Sequence, residues 1–527
     1  MKKLLCNRRL LNGMILALIV IQPLIDLDSH LYGFLDQFGL PRPSTIIRFL
    51  VIPALVLWTF FLKERHKKRT LIFAGLIAVC LGVYFVLHCR QSSAIATQLY
   101  LTPNFFFQLS REVTYFLTLI VPYGMIYCFT HLHISEPVLR RITIALSCLS
   151  AVPIFLGDLF VFGESTYAGM TQANFFSWFL GIYTDPSRLH PRQLASKFFF
   201  DEGNTVGILM FMLLPLLYLF LQRSKTRLQR WGLGALIAVH SMAMIILSTR
   251  VAAFGSALIP LCFLILLLFV SLVMKQQKLQ KVMVLFCLGM ALGCGLVLTH
   301  SPAVINQQID SGNTAILLED DYMRQEAIGA LENAGEQKND EFYRYMFEQY
   351  GIRANLMASV PTQYYMEWYH YTADPKFWID VMNLPLEQRV SGRQIEQIFM
   401  DYKWAELSSS QKLLGLGYST FNNGSILLEK DFAQQKYTMG IIGCVLTALP
   451  WLIITAAGAV LVLLKWKKLL RLDVLTYAMA LVAGLVSAYI SGHVIDQFLT
   501  TTMLALLVAL LLNAVMAAYG KGGEERA

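Results

Sequence analysis

Ala252-Ala-Phe-Gly-Ser-Ala-Leu-Ile-Pro-Leu-Cys-Phe-Leu-Ile-Leu-Leu-Leu-Phe-Val-Ser-Leu-Val-Met274 runs for 23 residues without one Asp, Glu, Lys or Arg. Coiled as a helix at about 1.5 Å per residue, it reaches roughly 35 Å, enough to cross the ~30 Å hydrocarbon core of a bilayer. Eleven further blocks read the same way, and with this one they place spans at 11–29, 45–62, 70–88, 113–131, 141–162, 204–221, 231–249, 252–274, 282–299, 437–464, 474–492 and 496–519. The fold class is therefore an all-α polytopic membrane protein with about 12 transmembrane helices. Composition agrees, since 56% of the 527 residues are hydrophobic and 15% are charged, where a soluble chain carries roughly 25%. A soluble enzyme, a disordered chain and a secreted disulfide scaffold are excluded.

The formal charge of +9 divides unevenly. Residues 300–436 hold 19 acidic and 11 basic side chains, a net of −8, and the remainder of the chain sums to +17. With the N-terminus inside, every short inner loop is basic. Examples are Lys63, Arg65, Lys67, Lys68 and Arg69 after the second span, and Lys465, Lys467, Lys468 and Arg471 after the tenth. The positive-inside rule thus sets both termini in the cytoplasm and makes the charge a statement of orientation; no nucleic-acid partner is implied. Three parts follow: spans 1–9 over 1–299, with an outer loop at 163–203; a helical extracytoplasmic domain over 300–436, between spans 9 and 10; and spans 10–12 with a cytoplasmic tail over 437–527. Within the large loop, helices are expected at 314–333 and 340–358. No small-x-small cleavage site follows the first apolar run, so it reads as an uncleaved span. None of the nine cysteines belongs to a CxxC pair, which leaves no thiolate metal site.

Ionised residues at the outward ends of spans are the candidates for chemistry, because charge near the bilayer is costly to keep. Arg250 stands in Ile246-Leu-Ser-Thr-Arg-Val-Ala-Ala-Phe-Gly255, where the seventh span runs almost directly into the eighth. A guanidinium held there can grip a phosphate bidentately, or simply snorkel to the interface. Leu414-Gly-Leu-Gly-Tyr-Ser-Thr420 carries a glycine pair that reads as a phosphate-cradling turn or as an ordinary one. Glu429 and Asp431 lie just before the tenth span, where either carboxylate can accept a hydroxyl proton or form a solvated edge. Gly440 and Gly443 follow, three apart on one helix face, a spacing that permits close helix packing. Asp26-Leu-Asp28 with His30, Arg48, and His493 with Asp496 are further outward polar sites. In the 163–203 loop, Arg188 and Arg192 add cations. Tyr364-Tyr-Met-Glu-Trp-Tyr-His-Tyr371 is dense in rings that either stack on sugars, Tyr365 and Trp368 above all, or build the core of the loop domain. No HExxH, Walker-type loop, GxSxG or zinc spacing occurs, so no metal or cofactor is expected.

Taken together, three of these segments resemble the bacterial O-antigen polymerase and O-antigen ligase family. Leu247-Ser-Thr-Arg-Val-Ala-Ala253 is similar to the family's Ser-x-Arg-small-small segment at an outer span junction. The run from Gly415-Leu-Gly417 through Glu429-Lys-Asp-Phe432 to Gly440-Ile-Ile-Gly443 is similar to the end of its large outer loop. Phe200-Asp-Glu-Gly-Asn-Thr205, with Asn204, is similar to its Asn-containing approach to the sixth span. Ligases of the family carry a histidine about eleven positions before the Gly-x-x-Gly, and Glu429-Lys430 stand there instead, which favours the polymerase side.

The resemblance implies a metal-independent glycosyltransferase in the bacterial cytoplasmic membrane. It would transfer oligosaccharide from a polyprenyl-diphosphate carrier to a sugar hydroxyl on the extracytoplasmic face. Arg250 would then stabilise the leaving diphosphate, with Arg48, Arg188 and Arg192 as helpers, and Glu429 or Asp431 would take the proton. Partners would be the lipid-linked oligosaccharide, the bilayer, and a chain-length regulator or other polysaccharide-assembly proteins. Competing readings are an O-antigen ligase-type transferase, a polyprenyl-phosphate-sugar glycosyltransferase using Asp26 or Asp28, and a lipid-linked oligosaccharide flippase or transporter.

Overall fold

The structure, a computed structural model, describes residues 7–31, 42–99, 102–167, 169–180, 191–307, 321–335, 338–389 and 391–519. Twelve helices among these are long and apolar enough to cross a membrane, and the described residues contain no strand beyond isolated bridges at Glu164. The first nine crossings are α1 (Arg8–Ile25), α2 (Pro43–Lys63), α3 (Lys67–Gln98), α4 (Leu109–Thr130), α5 (Glu136–Leu159), α6 (Gly203–Gln222), α7 (Arg227–Leu247), α8 (Arg250–Leu268) and α9 (Lys281–Leu298). Helices α10 (Asp321–Asn333), α11 (Gly392–Ala405) and α12 (Tyr418–Asn423) follow. The tenth crossing is split into α13 (Asp431–Thr447) and α14 (Leu449–Leu464), and α15 (Leu472–Ile490) and α16 (Phe498–Tyr519) complete the set. The chain forms two compact units, one made of 1–72, 117–306 and 450–527, the other of 73–116 and 307–449.

The first unit is organised around α6. Its sequence is apolar around the whole circumference, which is the pattern of a helix enclosed by other helices. Its most apolar window is 94% buried, and α5, α7, α8, α15 and α16 all pack on it. Hydrophobic burial gives little drive between helices in lipid, so the contacts depend on small residues that admit close approach. Gly207 has room for no side chain, since a methyl there would meet Thr249 Oγ1 at 2.8 Å and Ala252 Cβ at 3.1 Å. Gly484 of α15 leaves the same space for Met212 and Leu504. By contrast, the window of α3 is 6% buried, and Leu71, Ile72, Phe73 and Leu76 present an apolar face suited to lipid.

Between α7 and α8 only Ser248 and Thr249 intervene, with Ser248 in the left-handed region. The last carbonyls of α7 would be unpaired there, and the 163–203 loop supplies their donors. Ser196 N–H reaches Ile246 O at 3.2 Å, Thr166 Oγ1 reaches Leu247 O at 2.7 Å, and the Tyr167 hydroxyl reaches Ser248 O at 2.6 Å.

The second unit has an aromatic core in which Phe347, Tyr369, Phe377, Trp378 and Phe399 are almost wholly buried. The 364–371 run contributes three of its rings to this core: Tyr364, Tyr365 and Tyr369. A helix expected at 314–333 is present as α10, and 314–320 lie outside the described residues. The one expected over 340–358 runs as Asp340–Met346 continued by a wider turn to Arg353.

The expectation that Gly440 and Gly443 share one helix face is corrected by the backbone. Gly440 has φ +72° and breaks α13, so it is a hinge in the chain, while Gly443 alone makes the close packing, against Tyr84. The broken turn is paired with the glycine loop: Leu416 N–H donates to Tyr437 O and Gly417 N–H to Thr438 O, both at 2.8 Å, and the Tyr84 hydroxyl donates to Met439 O at 2.5 Å. Gly415 and Gly417, at φ +89° and +93°, bring their backbone flush against the break.

A Cβ on residue 440 would lie 2.4 Å from Leu414 C and 2.6 Å from Leu413 O. Gly440→Ala combines that overlap with a left-handed φ and should cost on the order of 3 kcal/mol. Gly458→Ala, where no atom lies within 4 Å, should leave stability unchanged or slightly raised. Thermal melting in detergent checks this, and equal midpoints for Gly440→Ala and the native protein would contradict it.

Candidate functional site

In the first unit the starts of α2, α6 and α16 and the end of α1 gather polar side chains at one place. Helix starts carry partial positive charge, so such a place suits anions and acidic side chains. Arg48, in the second turn of α2, is buried with 5% of its surface exposed. Its Nη1 pairs with Asp26 Oδ1 at 2.7 Å, its Nε donates to Gln22 Oε1 at 3.0 Å, and its Cζ lies 5.2 Å from the centre of the Phe498 ring. Its remaining nitrogen, Nη2, is buried without a hydrogen-bond partner. Asp28 accepts from Ser44 N–H at 2.7 Å and so caps the start of α2.

At the foot of α6, Arg42 pairs with Asp201, and Glu202 accepts from the Thr205 hydroxyl at 2.9 Å. His493, left-handed at φ +57°, places Nδ1 3.9 Å from Glu202 and 3.8 Å from Asp496. Burial holds the Glu202 carboxyl above the usual carboxylate range; His493 opposes that rise, and Asp496 and Asp201 add to it. A small polar pocket opens among Asp26, Asp201, Glu202, Thr205 and Gln497.

Of the residues expected from the sequence, Arg48 belongs to this cluster. Asn204 is half-buried in the first turn of α6. Arg250 opens α8 with an exposed side chain, and its helix begins beside α6, since Gly203 and Gly207 both abut Thr249. Arg192 is exposed in the loop, and its carbonyl accepts from the Ser165 hydroxyl. Arg188 lies outside the described residues. Among the described residues, no group of three or more His, Cys, Asp or Glu side chains is arranged to hold a metal ion.

The second unit holds Glu429, paired with Arg393 and partly exposed, and Asp431, the first residue of α13 and nearly buried at 3%. Leu428 N–H donates to Gln434 Oε1 at 2.8 Å and fixes the turn around them. Tyr365 faces into the core against Phe347 and Trp378, while Trp368 is half-buried with its ring 4.5 Å from Tyr364.

Two ionisable residues of this unit escape a reading based on basic and acidic edges. His88 of α3 and Glu112 of α4 are both fully buried, with His88 Nε2 2.7 Å from Glu112 Oε1. The rule that an ionisable residue inside an apolar span marks a working site is the signal that points to them.

The Asp26–Arg48 pair yields a stability prediction. Asp26→Asn leaves a buried guanidinium uncompensated and should cost on the order of 3 kcal/mol. Asp380→Asn, which removes an exposed partner of Lys376 (2.8 Å apart), should cost under about 1 kcal/mol. Thermal melts of the two variants check the contrast, and equal losses would contradict it.

No curated protein and no solved structure matches the chain significantly. A family does: the one described as O-antigen ligase like membrane protein matches residues 9–517, nearly the whole chain. The twelve apolar helices and this match together make the chain a multi-pass membrane protein that belongs to the O-antigen ligase like family.

Proposed function

We propose that the protein is a polymerase of surface polysaccharide, acting on the extracytoplasmic face of the bacterial cytoplasmic membrane. Both termini and the basic loops face the cytoplasm in this reading, and the acidic 300–436 segment faces outward. The observation that carries it is the cation set at the helix starts of the first unit, in a family of polysaccharide-assembly membrane enzymes. Buried Arg48 keeps an unused N–H, and Arg250 stands exposed where α8 begins.

The substrate is an oligosaccharide joined through its anomeric carbon to polyprenyl diphosphate. A hydroxyl oxygen of a second oligosaccharide forms a bond to that carbon as the carbon–phosphate oxygen bond breaks. The bonding pair leaves with the diphosphate, and the hydroxyl proton passes to a carboxylate of the protein. No nucleotide is consumed, because the leaving diphosphate supplies the driving force.

Fixed cations lower the barrier by meeting charge that develops on the leaving group. Arg250 takes this role, with Arg48 and Arg192 as helpers and Arg188 as a further candidate from the sequence. Glu429 or Asp431 takes the proton, Glu429 being the more accessible of the two. Each assignment rests on its own compact unit and is tested by itself. The missing ligase-type histidine, with Glu429-Lys430 in its place, is what favours a polymerase over a ligase.

Arg250→Ala and Arg250→Lys, reconstituted in membranes with a lipid-linked repeat unit, should slow chain growth by about 100-fold or more while melting like the native protein. Normal polymer lengths from both would remove Arg250 from the reaction. Glu429→Gln or Asp431→Asn should slow transfer by about 100-fold or more in the same assay. If neither does, the base lies elsewhere in the protein.

A further inference from the structure

The polar centre of the second unit has no part in the reaction as described so far, yet its geometry is closely determined. His88 and Glu112 are 0% exposed and meet inside two apolar helices. His88 Nδ1 lies 2.7 Å from Leu414 O, so that nitrogen carries a proton and donates it. Its Nε2 faces Glu112 Oε1, and both Glu112 oxygens also accept backbone amides, Oε1 from Tyr418 at 3.0 Å and Oε2 from Ser419 at 2.7 Å. Glu112 thus has three neighbours within hydrogen-bond reach, two backbone amides and the imidazole edge. Glu112 and His88 together therefore clamp both sides of the 414–419 loop.

That loop closes a ring of chain. Leu416 and Gly417 tie it to Tyr437 and Thr438 across the break in α13, so residues 418–436 leave from and return to the same point. Gln91 adds a bond to Gly415 O at 2.6 Å, and Tyr115 stacks on Tyr418 at 3.7 Å. Glu429 and Asp431 lie on the ring so closed. Placing a carboxyl and an imidazole inside apolar helices is costly, and removing either partner leaves the other a buried polar group without its hydrogen bond. Other hydrogen bonds would hold a loop at less cost, so the expenditure points to a demand for exact placement.

We propose that His88 and Glu112 are positioning residues for the acceptor half of the reaction. By pinning residues 414–419 they set where the Glu429 and Asp431 carboxylates stand. The proposal rests on the reading of one of those carboxylates as the proton acceptor. Displacement by about 1 Å at a reacting group can cost around 100-fold in rate without weakening substrate binding.

The test is steady-state kinetics of the full-length protein in liposomes with a lipid-linked repeat unit, alongside amide hydrogen exchange. Glu112→Gln presents an NH2 to one of the two loop amides and should lower kcat by about 100-fold with KM within about twofold. His88→Gln keeps one donor toward Glu112 and should lose less, about tenfold in kcat. Exchange should quicken over 412–440 and stay native in α6. Native kcat in Glu112→Gln overturns the proposal, as does a loss accompanied by faster exchange in α6, which would mark general unfolding. If Glu429→Gln and Asp431→Asn both keep the native rate, the underlying reading fails and the proposal falls with it, whatever Glu112→Gln does.

Discussion

In a hydrocarbon medium no water is present to receive a backbone N–H or C=O, so each such group must find its partner in the chain. Regular helices meet that demand alone, and most of this protein consists of them. The two interruptions described above are therefore where other segments become structural. At Ser248 the 163–203 loop brings three donors to the ends of α7. At Gly440 the glycine loop brings two amides and Tyr84 a hydroxyl. Each repair fixes a loop against a helix end, and each lies next to residues proposed for chemistry, Arg250 in one case and Glu429 with Asp431 in the other.

Electrostatics works with the same scarcity of solvent. Arg48 is held by Asp26, Gln22 and the face of Phe498, so it is rigid before any ligand arrives. A cation fixed in this way needs no reorganisation as charge develops on a leaving group, which is how a preorganised site is worth more than a mobile one. The surrounding acids, Asp26, Asp28, Asp201, Glu202 and Asp496, oppose accumulation of uncompensated positive charge among the helix starts. Asp26 thus both compensates the buried charge of Arg48 and holds its guanidinium in place.

Much of the architecture was legible along the chain, because an uncharged run long enough to span lipid carries its own meaning. The twelve spans and the short junction at Arg250 come directly from such runs, although the structure moves that junction to Ser248 and Thr249. Arg48 and Arg250 were legible as cations at the ends of spans. Their partners were not: Asp26 and Arg48 lie 22 positions apart, and Glu112 and Tyr418 lie 306 apart, so only the folded chain brings them together. His88 fell at the expected edge of a span drawn at 70–88, whereas α3 continues to Gln98 and encloses it. Gly440 and Gly443 have the spacing of a packing motif, and spacing alone cannot reveal a positive φ. The aromatic run at 364–371 suited sugar stacking and core packing equally, since both reward large flat apolar rings.

If lipid-linked oligosaccharides are joined into polymer by this protein, deleting its gene should change which carrier-linked sugars accumulate in the membrane. Single repeat units on polyprenyl diphosphate, with no long chains, are the expected result. Full-length polymer retained on the carrier would instead make the protein a ligase, and unaltered polymer at the cell surface would contradict both.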